Sequence, residues 1–233
     1  MKLFLISVTV FFTFILDSNT ESLAKKIESH YKVEFGAINL GSLNWTINID
    51  ESSYLTSIAL KDKGVFSTLY NFSGKYSSEG KIINGEFVSL MYKQSWKTKK
   101  KTKNVEILFN NTMVSNLNLW PKEKELARID YLEVEGLIDP ISSMLNIIKN
   151  SKNNFKTIDG RRIYKMSLDF NKSKNNIITK KIYIKDYFNI WADHKRNDLE
   201  FIIINQNLSQ GEEFFPKNIR IKNKGLTFKL TKI

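Results

Sequence analysis

The amino-acid sequence predicts a mainly β protein, in which a curved antiparallel sheet, or half-open β-barrel, of about ten to twelve strands wraps around one short helix. Apolar and polar residues alternate along most of the chain, as they do in strands with one buried face. Short polar turn sequences separate these segments, and a single stretch has helical spacing instead. With 233 residues and 42% hydrophobic content, the chain is long enough for one large β domain.

Residues 1–22 are predicted to be a secretory signal peptide. Lys2 supplies the positive start, and residues 3–16 form an apolar and hydroxyl run that is shorter than the roughly 20 residues a membrane-spanning helix needs. The cleavage site is poorly defined, so an uncleaved N-terminal anchor is the alternative. Either outcome places residues 23–233, predicted as a single β-rich domain, outside the cytoplasm.

The first half of the domain alternates through successive strand segments. Residues 31–35 begin the pattern, and a bend is expected between Gly36 and Gly41. An Asn84-Gly85 pair favours a tight hairpin turn. The other predicted strands in this half are residues 43–49, 54–60, 72–76, 87–96, 105–109 and 113–120.

The longest of these segments, residues 87–96, is predicted to place Val88, Leu90 and Tyr92 on one face. The lysine-rich residues 97–103 follow it and are interpreted as a solvated hairpin tip. Between two strands, a run of charges is most simply an exposed turn.

Residues 139–150 are predicted to form the helix, and residues 121–137 the loop that carries the chain to it. Asp139 is a good N-cap, Pro140 suits the first helical position, and Lys149 lies in the last turn, where a cation favours the helix dipole. Four apolar residues at i, i+3, i+4 and i+7 lie on one helical face: Ile141, Met144, Leu145 and Ile148.

The second half returns to the strand pattern. Asp159-Gly160 is a strong hairpin signal, and residues 199–204 are continuously apolar, as in a strand buried on both faces. The predicted strands are residues 155–158, 162–170, 177–188, 199–204, 217–222 and 226–233.

The formal charge of +12 does not by itself predict a nucleic-acid partner. Lysines are spread along the whole chain together with many Asn and Ile residues, a composition typical of AT-rich genomes, and no nucleic-acid-binding motif accompanies them. Attraction to anionic lipid or another envelope polyanion is the preferred interpretation, with membrane association only through the leader or surface charge. The absence of cysteine excludes disulfides and thiolate nucleophiles.

No cofactor, metal site or catalytic residue is predicted. His30 and His194 are the only histidines, and neither belongs to a metal-binding or triad motif. Glu133 and Glu135 would share a face of a strand, but the carboxylates of glycosidases are normally held on separate elements.

The most conspicuous polar cluster is Asp159-Gly160-Arg161-Arg162. One interpretation makes the two arginines a clamp for carboxylate or phosphate. The favoured interpretation is a tight turn flanked by arginines, because the turn geometry requires the glycine whatever the arginines do.

Four motifs together resemble a known family. They are YKVEFGAINLG at residues 31–41, GLIDPISSML at 136–145, FKTIDGRRIYKM at 155–166 and FPKNIRI at 215–221. In this order they resemble the bacterial exported family known as domain of unknown function 3108, whose members show a tyrosine-rich first strand, a D-P-x-S helix start and a D-G-x-R-x-Y hairpin. The resemblance covers residues 31–233.

This resemblance implies a location in the periplasm of a Gram-negative bacterium, with a tether to the inner membrane if the leader is not cleaved. It implies no catalytic residues, so none are carried over. The implied architecture looks like the half-open β-barrels of periplasmic lipoprotein carriers, in which a curved sheet wraps a helix and can enclose an apolar cavity.

Three functions are compatible with the sequence. The preferred one is a non-enzymatic envelope protein that binds an apolar or amphipathic ligand, such as a lipid or an acylated peptide. The alternatives are a structural or protein-interaction module of the envelope and a hydrolase of envelope polymers. For the preferred function, the residues predicted to line the cavity are Trp45, Ile47, Leu90, Met144 and Ile148.

Overall fold

A computed structural model of the protein describes residues 24–64, 67, 71–149, 153–191, 198–207 and 214–233. The predicted signal peptide and His194 lie outside the described residues. Within the described residues, the chain forms fourteen strands in a single sheet and a ten-residue helix, α1. None of the helices in these ranges is long and apolar enough to cross a bilayer.

The elements follow one another along the chain in this order: β1 (Lys25–Phe35), β2 (Ile38–Ile49), β3 (Ser53–Asp62), β4 (Ser73–Ile83), β5 (Glu86–Lys97), β6 (Thr102–Asn110), β7 (Met113–Trp120), β8 (Leu137–Ile138), α1 (Pro140–Lys149), β9 (Asn154–Ile158), β10 (Arg162–Lys174), β11 (Ile177–Asn189), β12 (Leu199–Asn207), β13 (Asn218–Asn223) and β14 (Leu226–Lys232).

The prediction of a mainly β, barrel-shaped sheet is confirmed, but the strand count is higher than the ten to twelve expected. The predicted bend after residue 35 is a full reversal, because Gly36 has φ +57° and the chain turns back on itself between β1 and β2. The two-residue β8, which pairs in parallel with β9, was also not anticipated. The expected helix is confirmed at Pro140–Lys149.

The sheet consists of two meanders that meet at the chain ends. Strands β1–β7 follow one another in space, and so do β8–β14, while β1 pairs with β14 in the middle of the sheet. Tyr31 on β1 is opposite Lys232 on β14, so the C-terminal strand is held in the centre of the sheet. We call β1–β7 the N-terminal half and β8–β14 the C-terminal half.

The two outer strands of the sheet, β7 and β8, approach each other and nearly close the barrel. The Leu137 amide donates to the Thr112 carbonyl at 2.7 Å. Residues 121–136, which connect the two strands, contain no strand or helix, as the sequence predicts. Hydrogen bonds tie this connection to the C-terminal half, among them one from the Arg128 amide to the Ile190 carbonyl at 2.8 Å.

The predicted alternation of Val88, Leu90 and Tyr92 on one face of β5 is wrong. Leu90 has no register partner on β4, because Ser89 and Met91 on either side of it pair with consecutive residues of that strand. This β-bulge changes the phase of the strand. Ser89 and Tyr92 are therefore buried, whereas Leu90 is 40% exposed.

Helix α1 lies inside the barrel and is capped by a buried carboxylate. Asp139 Oδ1 accepts hydrogen bonds from the amides of Ile141 at 2.8 Å and Ser142 at 3.1 Å, which confirms the predicted N-cap. Its other oxygen accepts from the hydroxyls of Ser78 at 2.7 Å and Ser89 at 2.5 Å. These serines belong to β4 and β5, so the cap also joins the helix to the N-terminal half.

The other end of α1 is capped by a lysine from β11. Lys180 is fully buried, and its Nζ donates to the carbonyls of Ile147 at 2.8 Å and Ile148 at 2.7 Å. The C-terminal end of a helix carries partial negative charge and unpaired carbonyls, which an ammonium group satisfies. Burial nevertheless lowers the pKa of Lys180 to about 8.

Candidate functional site at the mouth of the barrel

The two ends of the barrel differ in what they enclose. The helix and its caps contact the beginnings of β5 and β11, at the end that we call the helix end. The opposite end carries the β1–β2, β5–β6 and β9–β10 turns, and we call it the mouth. Two concave regions open at the mouth, one apolar and one charged.

The apolar pocket has a volume of about 350 Å³ and lies between the mouth ends of β1–β3 and β13–β14. Its aromatic and aliphatic side chains are mostly half-buried, so part of their apolar surface faces the opening. The principal lining residues are Leu40, Leu43, Leu60, Phe72, Ile221 and Phe228.

The charged cleft has a volume of about 500 Å³ and lies on the other side of the mouth, between β5–β6 and the β9–β10 turn. Three cationic and four anionic side chains line it, so its charge is nearly balanced. These residues are Lys103, Arg161, Arg162, Glu123, Glu125, Asp159 and Asp198.

Two aromatic rings stand between the apolar pocket and the charged cleft. Phe72 lines the pocket and Trp96 lines the cleft, and their ring centroids are 6.5 Å apart. The Lys103 ammonium lies 5.5 Å from the Trp96 ring centroid on the cleft side. The two concave regions are therefore neighbours, and a single elongated molecule can reach both.

The arginine cluster predicted from the sequence is a tight turn whose arginines are already paired. Asp159 Oδ1 accepts from the amides of Arg161 at 3.0 Å and Arg162 at 2.9 Å, which fixes the turn. Asp159 Oδ2 accepts from the Arg162 guanidinium at 2.7 Å, and Arg161 Nε donates to Glu123 at 2.6 Å. The tight turn of the favoured interpretation is therefore confirmed, and both arginines also have carboxylate partners within the protein.

The electrostatics of Arg162 follow from this pairing. Burial alone would lower the pKa of the Arg162 guanidinium, but the adjacent Asp159 carboxylate outweighs burial and raises it. Arg162 is therefore a permanent cation held in a fixed orientation. It also lies 3.9 Å from Asp198 at the mouth end of β12.

Gly160, at the tip of the turn, brings the two halves of the barrel into contact. Its φ of +91° favours glycine, and a Cβ atom at this position would lie 2.5 Å from Cγ1 of Val105 on β6. The glycine is therefore required both by the turn and by the close approach of the C-terminal half to the N-terminal half.

The five residues predicted to line a cavity do not line the apolar pocket at the mouth. Leu90 is exposed because of the bulge, so its prediction as an interior residue is wrong. Trp45, Ile47 and Ile148 are buried in the core, and Met144 is half-buried against it. Trp45, for example, packs edge-on against Phe215 with ring centroids 5.6 Å apart.

The residues weighed for hydrolysis do not form a site among the described residues. Glu133 and Glu135 are exposed on the connection between β7 and β8. His30 is exposed on β1, where its Nδ1 contacts the Asn44 side chain. In the described part of the chain, no cluster of three or more His, Asp or Glu residues has the arrangement of a metal site.

Sequence analysis missed the pocket residues because their role depends on strand register. Leu60 and Ile221 follow the inward phase of the alternation and are indistinguishable from core residues by sequence. They line a pocket only because they lie at the mouth ends of β3 and β13, beyond the reach of α1. In several strands, the inward-facing apolar residues continue to the last positions of the strand. This is the one feature of the sequence that could have indicated a pocket at the mouth.

Comparison with known proteins identifies a family but no activity. Residues 30–192 match the model of DUF3108, described as a protein of unknown function, and no curated protein matches the sequence. Among solved structures, a beta-barrel-like protein of domain of unknown function DUF1849 from Brucella abortus is similar, with a TM-score of 0.48 and 9% identity over 91% of this chain and 97% of that chain. On the family match, which spans most of the chain, this protein belongs to the DUF3108 family.

Proposed function

We propose that this protein is a non-enzymatic binding protein of the cell envelope, which holds an apolar or amphipathic ligand such as a lipid or an acylated peptide at the mouth of the barrel. The single observation that carries the proposal is the apolar pocket of about 350 Å³. Its volume is within the range of small-molecule sites, which are concave and predominantly apolar.

The position of the pocket supports ligand binding rather than a packing defect. A void sealed inside a protein only weakens it, whereas this pocket opens at the end of the barrel that α1 does not fill. Half-buried Leu40, Leu60 and Phe228 keep apolar surface in contact with water unless a ligand covers it. Covering that surface supplies the free energy for binding, at about 25 cal/mol per Å².

The charged cleft supports an amphipathic rather than a purely apolar ligand. An apolar chain in the pocket would reach the opening beside Phe72 and Trp96, and any polar group attached to it would meet the cleft. Because the arginines of the cleft are already paired with carboxylates, the cleft favours an uncharged or zwitterionic polar group over a simple anion.

The proposed location is the periplasm. The sequence of residues 1–22 supports export, as does the resemblance of the four motifs to an exported family. A protein that carries an apolar molecule between membranes or partners needs a ligand site that opens to its surface. The mouth provides such a site.

The test is native mass spectrometry of the full-length protein purified from the envelope of its own host. We expect an extra mass that organic extraction removes and identifies as a lipid or an acylated molecule. Leu60→Trp, which fills the pocket, should lose this mass. Ile82→Trp is the matched control, since Ile82 is a half-buried residue near the helix end of the adjacent strand, and it should keep the mass.

Two results would contradict the proposal. One is a wild-type protein that carries no apolar molecule and does not take up an apolar fluorescent probe such as a naphthylamine dye. The other is equal loss of the bound mass in both tryptophan variants, which would locate the ligand away from the apolar pocket.

A further inference from the structure

The positive charge of the protein is concentrated on one half of the barrel. Strands β9–β14 carry twelve lysines and arginines against three acidic residues, whereas strands β1–β7 carry nine against six. The charge asymmetry therefore marks the outside of the C-terminal half as distinct.

Strand register makes several of these cations cross-strand neighbours on the outer face of the sheet. Lys165 on β10 is opposite both Lys156 on β9 and Lys185 on β11, so three exposed lysines form a row across three strands. Arg220 on β13 is opposite Lys229 on β14 in the same way. Like charges directly opposite each other destabilise a sheet. We call these five residues, together with Lys181 on β11, the basic face.

Three residues of the basic face are not neutralised by a carboxylate among the described residues of the protein. In the described part of the chain, none of Lys165, Lys185 and Arg220 forms an ion pair. Lys93 on β5 is by contrast paired with Glu106 at 3.2 Å. An external anion would relieve the repulsion within the lysine row.

Aromatic side chains are interleaved with the cations. Tyr183 and Phe201 lie side by side on β11 and β12, with ring centroids 6.2 Å apart, and the Lys181 ammonium is 4.4 Å from the first ring and 4.9 Å from the second. Tyrosine and other amphipathic rings are enriched where proteins meet lipid headgroups. Lysine side chains can lie along such rings and keep their charged ends in the headgroup layer.

An apolar groove borders the lysine row. It has a volume of about 420 Å³ and includes Lys156 and Lys165 together with Ile129, Val134 and Phe188. Phe188 is 45% exposed. Cations and exposed apolar side chains on one surface are the combination that binds an anionic membrane interface.

We infer that the basic face docks on the surface of an anionic lipid bilayer. The lysine row on β9–β11 is on the outside of the barrel, where a broad partner such as a bilayer can reach it. Single-stranded nucleic acids are instead held in grooves with rings free to stack on bases, and here lysines cover the rings. The inference does not depend on the ligand proposed for the apolar pocket.

The experiment is co-sedimentation of the purified protein with vesicles of phosphatidylcholine alone or mixed with phosphatidylglycerol. We expect binding to the anionic vesicles at low ionic strength, little binding to the neutral vesicles, and loss of binding at about 1 M salt, where charges are screened beyond about 3 Å. Absence of binding to anionic vesicles would overturn the inference.

Two charge-matched double variants locate the binding surface. Lys165→Glu with Lys185→Glu should weaken vesicle binding by about tenfold or more. Lys75→Glu with Lys81→Glu makes the same change in net charge on exposed positions of β4, and it should bind within about twofold of wild type. Lys165→Gln with Lys185→Gln is the milder form and should weaken binding less than the reversal does.

Three further results would overturn the inference or separate it from the proposed ligand site. Equal weakening by the two charge reversals would mean that net charge, not the basic face, attracts the vesicles. Tighter binding to single-stranded DNA than to anionic vesicles at equal salt would identify a different partner. Leu60→Trp should keep vesicle binding even if it loses the ligand of the apolar pocket. If this variant loses vesicle binding, the basic face and the apolar pocket are not separate binding sites.

Discussion

The helix end and the mouth of the barrel are built from the same alternating strands but differ in how their interiors are filled. At the helix end, α1 occupies the space, and its two ends are capped by buried hydrogen bonds that Asp139 accepts and Lys180 donates. At the mouth, the strands continue past the helix, and apolar side chains such as Leu60 and Phe228 face an opening. One end is therefore filled by the helix, and the other leaves an open apolar pocket.

The helix end joins the two halves through a polar network that apolar packing could not replace. Asp139 comes from the C-terminal half, whereas Ser78 and Ser89 come from the N-terminal half. The Tyr54 hydroxyl lies 2.5 Å from Ser142 Oγ, and burial raises the pKa of Tyr54 well above its ordinary value, so the phenol stays neutral. Polar groups in a dry interior are directional, so they fix the position of the helix.

The largest expected effect in this comparison comes from removing the carboxylate at the helix end. Asp139→Ala leaves the buried hydroxyls of Ser78, Ser89 and Ser142 and two helix amides without their acceptor. It should lower the free energy of unfolding by about 3 kcal/mol or more. Urea denaturation measures this. Asp50→Ala is the control, because Asp50 accepts similar bonds from the amides of Ser52 and Ser53 at an exposed turn. An equal loss of unfolding free energy in both variants would contradict the claim that the hydrogen bonds of Asp139 matter more because they are buried.

The mouth offers a smaller effect at the contact between the two halves. Gly160→Ala introduces a Cβ against Val105 at a positive φ and should cost about 1–3 kcal/mol. The double variant with Val105→Ala should recover part of this loss, because it removes the steric clash and leaves the backbone strain. Thermal unfolding of the single and double variants tests the contact, and no recovery would show that Val105 is not the obstacle.

The most gradual expected effect is a pH dependence at the helix end. Lys180 has a pKa of about 8 in the folded protein and an ordinary value near 10.5 when unfolded. Between these pH values the unfolded chain binds a proton that the folded protein does not, so folding stability should rise with pH by up to about 1 kcal/mol per pH unit.

The matched variant for this effect is Lys180→Met, which cannot titrate. The difference in unfolding free energy between wild type and variant, measured in urea at about pH 7 and about pH 9.5, should shift in favour of wild type at the higher pH. Below the folded pKa the contribution should not change with pH. If the difference in unfolding free energy between wild type and variant is the same at both pH values, burial does not lower the pKa of Lys180.

The sequence predicted features that depend on neighbouring residues. The helix, its Asp139 cap and the Asp159-Gly160 turn follow from local spacing and turn chemistry, and the structure contains all three. The serines that complete the cap come from positions 78 and 89, and no local pattern connects them to residue 139. Buried polar partners across the sheet are set by register, which the sequence does not determine alone.

The misplaced cavity residues have the same origin. Leu90 has the right phase in the sequence, and one extra residue in β5 turns it outward. Trp45 and Ile47 were correctly expected to be inside, but whether an inward residue meets the helix or the opening depends on its height along the barrel. The charge asymmetry was also hidden, because lysines that look evenly spread in sequence gather on one face once strands pair.

The central claim, that the mouth and not the helix end holds an apolar ligand, is tested most directly by methyl NMR with a spin-labelled fatty acid. We expect the label to broaden the methyl signals of Leu40, Leu60 and Ile221 and to leave those of Leu145 and Ile147 on α1 sharp. Broadening confined to the helix methyls, or no broadening at saturating fatty acid, would contradict the claim.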